Sequence, residues 1–580
     1  MIKRKNIKRN NISLLFFGIL IIIFVNIISN FVFTRFDLTS EKRYSLSDAT
    51  KELLNNLDDI VYFQIYLDGE FPAGFKRLRN ETKEMLNEFR AYSDNIEYEF
   101  INPSESDDNN ERNDVYKLLI ERGLNPTDLL VKTKEGNSQQ IIFPGAIAIY
   151  KSNELPLELL KTQIGVPSEL ILNNSIQALE FNIASTIKKL SKTQKPKIAF
   201  IEGHGELNKN ETFDITKALS DYYTIERIKI DEQLNSLAER RMPDSSKIII
   251  KNKFDAIIIA KPDSVFSEKD KFIIDQFIMR GGKVLWVIDP VLASLDSLNK
   301  AESMLGITNN LNLEDILFKY GVRLNNDLIM DLNALPIPMR TGQIGNQPQI
   351  DFFPWFYFPV ITPLLSHPIV NNLNAIKTEF VSSIDTIDVK GIDKTILLTT
   401  SQYSRTINSP VLIELSILQE KVNENQFNEH NVPIAVLLEG SFESVFNNRI
   451  PPSIADDSLI GFVNKSIPTK MIVISDGDII KNQFHFQQGY PLPLGYDQYT
   501  GETFGNKELI LNAMNYLIDD SGLISIRSRE LTLRLLDRTE INKSKLFWQL
   551  LNTLGPIILI VIFGILQTYF RRKKYTKNWK

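Results

Sequence analysis

FDAIIIAKPDSVFSEKDKFIIDQFIMRGGKVLWVIDP, residues 254–290, decides the fold class. Two apolar runs, FDAIIIAKP (254–262) and KVLWVIDP (283–290), bracket SEKDKFIIDQFIMRGG (267–282). The middle segment opens on a serine suited to capping, spaces its apolar residues as a helix does and ends in two glycines. Strand, helix, strand over this length is a βαβ unit. Apolar runs without polar alternation are those of strands covered on both faces. Working outward, PKIAFIEGHGE (196–206) supplies an earlier strand, 211–221 a helix and TIERIKI (224–230) another strand. Far downstream, KMIVISDGDII (470–480) reads as one more buried strand of the same sheet. The expectation is a doubly wound parallel α/β domain over 194–527, with a long insertion at about 331–431.

The region before it reads as a smaller α/β domain, 35–193. Ser47 caps a short helix; IVYFQIYL (60–67), a basic helical segment (75–90) and IEYEFINP (96–103) make a second strand–helix–strand unit. QQIIFPGAIAIY (139–150) adds a strand pair around Pro144-Gly145, and one helix is expected near 168–190. A thioredoxin-like shape fits this order. The chain has no cysteine, so thiol exchange, disulfides and thiolate metal sites are excluded.

The 580 residues are 43% hydrophobic and 24% charged, the composition of a folded, multi-domain chain. The net charge of −5 hides a segregation. Residues 1–9 carry five basic groups and 571–580 carry six, with no acid in either tail; residues 10–570 hold 55 basic and 71 acidic groups. Such an acidic body does not suit nucleic acid. Just inside each basic tail lie 25 uncharged residues, 10–34 and 546–570, each long enough to cross a bilayer. The first run ends SNFVFTRFD, without a small-x-small cleavage site, so it reads as an uncleaved anchor. Basic flanks stay in the cytoplasm, which puts both tails there and the body in the periplasm of a bacterial inner membrane. Residues 528–545 form a membrane-proximal linker helix with a leucine-rich face.

Walker A, GxSxG and HExxH patterns do not occur. Two loops remain as candidate ligand sites. Glu202, His204 and Glu206 stand at the carboxyl end of a parallel strand, where open α/β sheets bind ligands. Asp476 and Asp478 follow another. Glycine-rich turns also explain both loops, and the turn reading carries more weight. The segment DFFPWFYFPV (351–360) gathers Phe352, Phe353, Trp355, Phe356, Tyr357 and Phe358. It is either a partner or membrane contact or packed core, and clustered aromatics favour core. The α/β order around 196–290 is similar to a glutamine-amidotransferase-like fold, but that chemistry needs a cysteine nucleophile.

FDLTSEKRYSLS (36–47), YLDGEFPAGFKRLRNET (66–82), FIEGHGE (200–206), SDGDIIKN (475–482) and FGNKELILNAMNYLIDDSGLISIRSRE (504–530) together resemble the GldG family, the gliding-motility-associated ABC transporter proteins of Bacteroidetes. The resemblance implies a non-catalytic substrate-binding or auxiliary subunit, a GldF-like permease and a GldA-like cytoplasmic ATPase as partners, and no cofactor, metal or catalytic residue. A periplasmic envelope enzyme using Glu202, His204 and Glu206, and a structural tether of envelope machinery, are the alternatives.

Overall fold

The computed structural model describes residues 12–24 and 45–576, apart from 107, 134–135, 161–166, 192–194, 245–246, 302, 345–346, 364–366, 420–422, 452–456, 520–521, 524–525 and 527–537. The chain forms two compact units, Met1–Glu530 and Leu531–Lys580.

Within the first unit, β1 (Val61–Ile65), α1 (Ala73–Tyr92) and β2 (Ile96–Phe100) form a βαβ unit with the two strands parallel. An antiparallel hairpin, β3 (Gly145–Tyr150) and β4 (Asn153–Glu158), completes a sheet of order β2-β1-β3-β4. Phe63, Ile65, Leu78, Phe89, Ala146 and Ala148 share one core with Ile183 and Ile187 of α2 (Leu179–Ser191). The single helix expected near 168–190 is two, Ser168–Gln177 and α2. They meet at Ala178, where ψ relaxes to −4 while the backbone stays right-handed. Of the expected strand pair in 139–150, β3 joins this sheet, whereas Gly136–Ile142 pairs with Thr127–Thr133 instead.

The larger sheet has seven strands: β5 (Lys197–Glu202), β6 (Thr224–Lys229), β7 (Ala256–Ala260), β8 (Lys283–Val287), β9 (Ile392–Thr399), β10 (Pro433–Gly440) and β11 (Thr469–Ile474). Their order is β9-β10-β11-β8-β7-β5-β6. The strands β11, β8, β7, β5 and β6 are mutually parallel. Strands β10 and β9 are antiparallel additions, so the sheet is mixed rather than wholly parallel. Strand β9 also corrects the reading of 331–431 as an insertion, because it is the sheet's edge strand. Only Ile392, Leu397 and Leu398 of it are buried, and so it lacks the continuous apolar run that marks the inner strands.

Helices cover both faces. Ile198, Phe200, Ile258 and Leu285 pack with α3 (Phe213–Ser220) and α5 (Asn506–Ile518). Ala199, Ile201, Ile257, Ile259 and Trp286 pack with α4 (Glu268–Met279). Helix α4 begins where the Ser267 hydroxyl accepts the Asp270 N–H at 3.2 Å and ends at Gly281, whose φ of +84 turns the chain back into β8. A hairpin of Ala334–Ile344 and Gln347–Ile361 carries the aromatic segment into a separate core with Leu328, Phe380 and Phe504.

The second unit is a helix, α6 (Arg538–Thr576), of 39 residues. Phe547–Lys573 is long and apolar enough to cross a membrane. The linker residues 538–545 continue into it without a break; 528–537 lie outside the described residues. Near the other end of the chain, Ile12–Phe24 is an apolar helix of 13 residues. Residues 10–11 and 25–34 of the expected first span lie outside the described residues.

Candidate functional site

The parallel strands all deliver their carboxyl ends to one edge, and each of four carries a charged residue there: Glu202 after or at the end of β5, Lys261 after β7, Asp289 after β8 and Asp476 after β11. Lys261 holds φ at +53, and its N–H donates to the Val287 carbonyl at 2.7 Å, which aims the side chain across the sheet edge. Its ammonium lies 3.0 Å from Asp289 Oδ2 and also pairs with Asp478. Asp476 joins from beside them. Its Oδ1 accepts the Asp478 N–H at 2.8 Å and its Oδ2 the Glu379 N–H at 3.0 Å. The Gly477 N–H donates to Asp289. A Cβ on Gly477 would stand 2.5 Å from Cγ of Lys261, so the loop closes on the lysine only with glycine there.

One carboxylate oxygen each from Asp289, Asp476 and Asp478 lies within 4.8 Å of the others. The positive charge that a cation would bring to this group is already supplied by Lys261. Burial pushes the Asp289 carboxyl up to about 6, against the pull of Lys261. Burial, with Asp289 and Asp478 alongside, holds Asp476 well above the ordinary carboxylate range. Burial acts upward on Asp478 too, but Lys261 and Lys481 outweigh it and hold that carboxyl low. The site is therefore less negative than three carboxyl groups suggest.

A second buried cation extends the network. Lys377 pairs with Glu379 at 2.9 Å and Asp497 at 3.3 Å. Asn506, in the first turn of α5, accepts the Lys377 N–H at 3.0 Å and donates to the carbonyls of Lys377 and Ile479 at 2.8 and 3.2 Å. It clips both segments to the helix.

The EGHGE loop makes a different arrangement. His204 is buried, stacked on Phe266 with ring centroids 3.7 Å apart. Its Nδ1 meets Glu206 at 3.2 Å and its Nε2 meets Asp270 of α4 at 3.1 Å. Neutral imidazole has one N–H, so only the imidazolium donates to both carboxylates. Burial opposes that charge, but the hydrogen bonds to Glu206 and Asp270 outweigh it and raise the His204 pKa. The remaining Asp270 oxygen accepts the Glu232 N–H at 2.8 Å. Glu202 points elsewhere: it pairs with Arg227, which also donates to Thr212 Oγ1 at 3.0 Å.

Of the residues singled out in the sequence, then, His204 and Glu206 come together, as do Asp476 and Asp478, while Glu202 stands apart. Lys261, Asp289 and Asp270 were not anticipated. Two of them share a signal: Lys261 and Asp289 are the first charges after the apolar strands AIIIA and VLWVI. In the aromatic segment, Trp355, Phe356, Tyr357 and Phe358 are buried, Phe353 is half-buried, and Phe352 is 51% exposed. Core packing takes the second half of the run and leaves its first residue free.

Residues 195–513 match the model of a family described as an ABC-type uncharacterized transport system. The chain belongs to that family. The matched segment contains all seven strands of the larger sheet and both charged loops. Residues 40–149 of this ABC-transport auxiliary protein match a domain of unknown function, DUF7088. An uncharacterized protein of Borreliella burgdorferi is 22% identical over 565 residues, covering 96% of each chain. Among solved structures, the mmIFT52 N-terminal domain aligns with 55% of this chain and 96% of its own length at 14% identity, with a TM-score of 0.29, too low to carry a shared fold.

Proposed function

We propose that the chain is a non-catalytic, membrane-anchored subunit of an ABC transporter complex, acting as a substrate-binding or auxiliary component beside a permease and a separate cytoplasmic ATPase. The observation that carries this reading is the conjunction of the transport family over 195–513 with an apolar helix, Phe547–Lys573, long enough to cross a bilayer. Both basic tails are then cytoplasmic and the body periplasmic, following the excess of cations beside the spans. GldF-like and GldA-like partners and a tie to gliding motility rest on the segments that resemble the GldG family.

The charged loops support a scaffolding role over an enzymatic one. His204 is closed between Glu206, Asp270 and Phe266, and Glu202 is engaged by Arg227. A solute has a better place in the cleft of about 860 Å³ lined by Asn125, Glu158, Asn372, Thr503 and Glu508.

Purification from native membranes in mild detergent tests the proposal. A permease and an ATPase should come down with the chain in fixed ratio. Recovery of the chain alone, from membranes in which both partners are present and intact, sinks it.

A further inference from the structure

Three helix ends meet at one place in the first unit: the last turn of α2, the turn at Asp221–Tyr223 that follows α3, and the last turn of α5. Between them lies a cavity of about 60 Å³, walled by Phe181, Tyr222, Tyr223 and Ile518. Three lysines line it, and two are engaged. Lys188 pairs with Asp519, and Lys195 donates to the Ser220 carbonyl at 2.7 Å. Lys189 is different. Its Nζ lies 3.8 Å from the centroid of the Tyr222 ring. Among the described residues it has no hydrogen bond and no carboxylate within ion-pairing distance. Burial pulls its pKa down to about 8, with only Asp221 acting upward from a distance.

An ammonium taken from water without a counter-ion is costly, and an aromatic face offsets only part of that cost. Three lysines against two aspartates leave the cavity one negative charge short, and Phe181, Tyr222, Tyr223, Ile518 and Leu523 give it an apolar side. We propose that this cavity binds a small monocarboxylate with an apolar body, its carboxylate paired with Lys189 and its chain against Tyr222, Tyr223 and Ile518. A water needs roughly 10–15 Å³ of such volume, so the space suits a ligand of about four to six heavy atoms. A dianion fits less well, because Asp221 and Asp519 also line the cavity and Lys188 is already neutralised. This inference is independent of the transport reading: the cavity and its free ammonium stand whichever partners the chain has.

The test uses the full-length protein in detergent, titrated calorimetrically with sodium butyrate and, separately, with the neutral isostere butyramide. Butyrate should bind at least about tenfold tighter, the scale of a charge-assisted hydrogen bond. Lys189→Met should abolish the preference and Lys189→Arg should keep most of it. Independently of any variant, butyrate should protect Lys189 of the wild-type chain from limiting acetic anhydride, read by peptide mass mapping, while butyramide does not. Equal binding of the two probes, or acylation of Lys189 unaffected by butyrate, overturns the proposal and leaves Lys189 as a cation serving only its own helix end.

Discussion

The two charged loops at the carboxyl edge of the large sheet solve the same problem in opposite ways. At EGHGE, one cation stands between two carboxylates, and the ring geometry of His204 satisfies both. At SDGD, the Lys261 ammonium pairs with Asp289 and Asp478, Lys481 adds a longer contact to Asp478, and Asp476 beside them is held well above the ordinary carboxylate range. The first is an imidazolium held by hydrogen bonds of fixed direction. The second is a point charge on which three strand ends converge. A buried group of this second kind is the more fragile, because removing its central cation takes the ion pair from Asp289 and leaves Asp478 to the more distant Lys481.

Lys261→Met should therefore have the largest effect. It leaves Asp289 buried without its counter-ion and Asp478 with only the more distant Lys481, and a loss of about 3–5 kcal/mol is expected from precedent for broken buried pairs. Denaturant unfolding of the full chain in detergent checks it. A loss below about 1 kcal/mol would mean that water reaches the cluster and that the contrast with EGHGE is false.

His204→Gln comes next, at about 1–3 kcal/mol, since glutamine can donate to one carboxylate but not to both. The window of its pH dependence, above the ordinary histidine value rather than between 3.8 and about 6, separates it from the other loop. A histidine whose folded pKa is raised contributes stability that is fully present below about 6.5 and is lost as pH rises through the folded value. The deficit of the variant should be largest in acid and shrink toward alkaline pH. A deficit independent of pH would show that His204 acts through packing on Phe266 alone.

Asp289→Asn should drift in the same direction but over a more acidic window. Its folded carboxyl titrates at about 6 against an ordinary 3.8, so wild-type folding loses stability as pH rises through that interval. The asparagine has no such titration. Measured against wild type, the variant should gain about 1–2 kcal/mol between pH 4 and pH 6, whatever its offset from losing the Lys261 contact. A flat difference across that window removes Asp289 from the buried, over-acidic set.

How much of this was legible beforehand follows from the same physics. Strands β5, β7, β8 and β11 are buried on both faces, and their apolar runs stand out from the sequence alone. Strand β9 is half exposed at the sheet edge, and its mixed pattern hid it inside an apparent insertion. The loops themselves were visible through glycine and acid in close succession. Their partners were not, because Asp270 reaches His204 across 66 residues and Lys261 reaches Asp478 across 217. Such pairings are set by strand order in the sheet, which no local pattern encodes. The aromatic run divided for a related reason: Trp355–Phe358 meets a core assembled from Leu328, Phe380 and Phe504, residues distant in the chain.

The smallest effect belongs to Glu202→Gln. Glu202 lies in the same EGHGE stretch as His204, and by sequence it is as good a candidate as Glu206. Its side chain keeps a third of its exposure, however, and among the described residues its one ion-pair partner is Arg227. Arg227 retains Thr212 and the Leu207 carbonyl when Glu202 is neutralised. A partly solvated pair of this kind contributes about 0–1 kcal/mol. The variant should unfold within that range of wild type and leave the pH profile of the His204 loop untouched. If it instead reproduced the acid-specific deficit of His204→Gln, Glu202 would be electrostatically part of the histidine group, and the loop would hold three carboxylates around one cation, making the two loops alike after all.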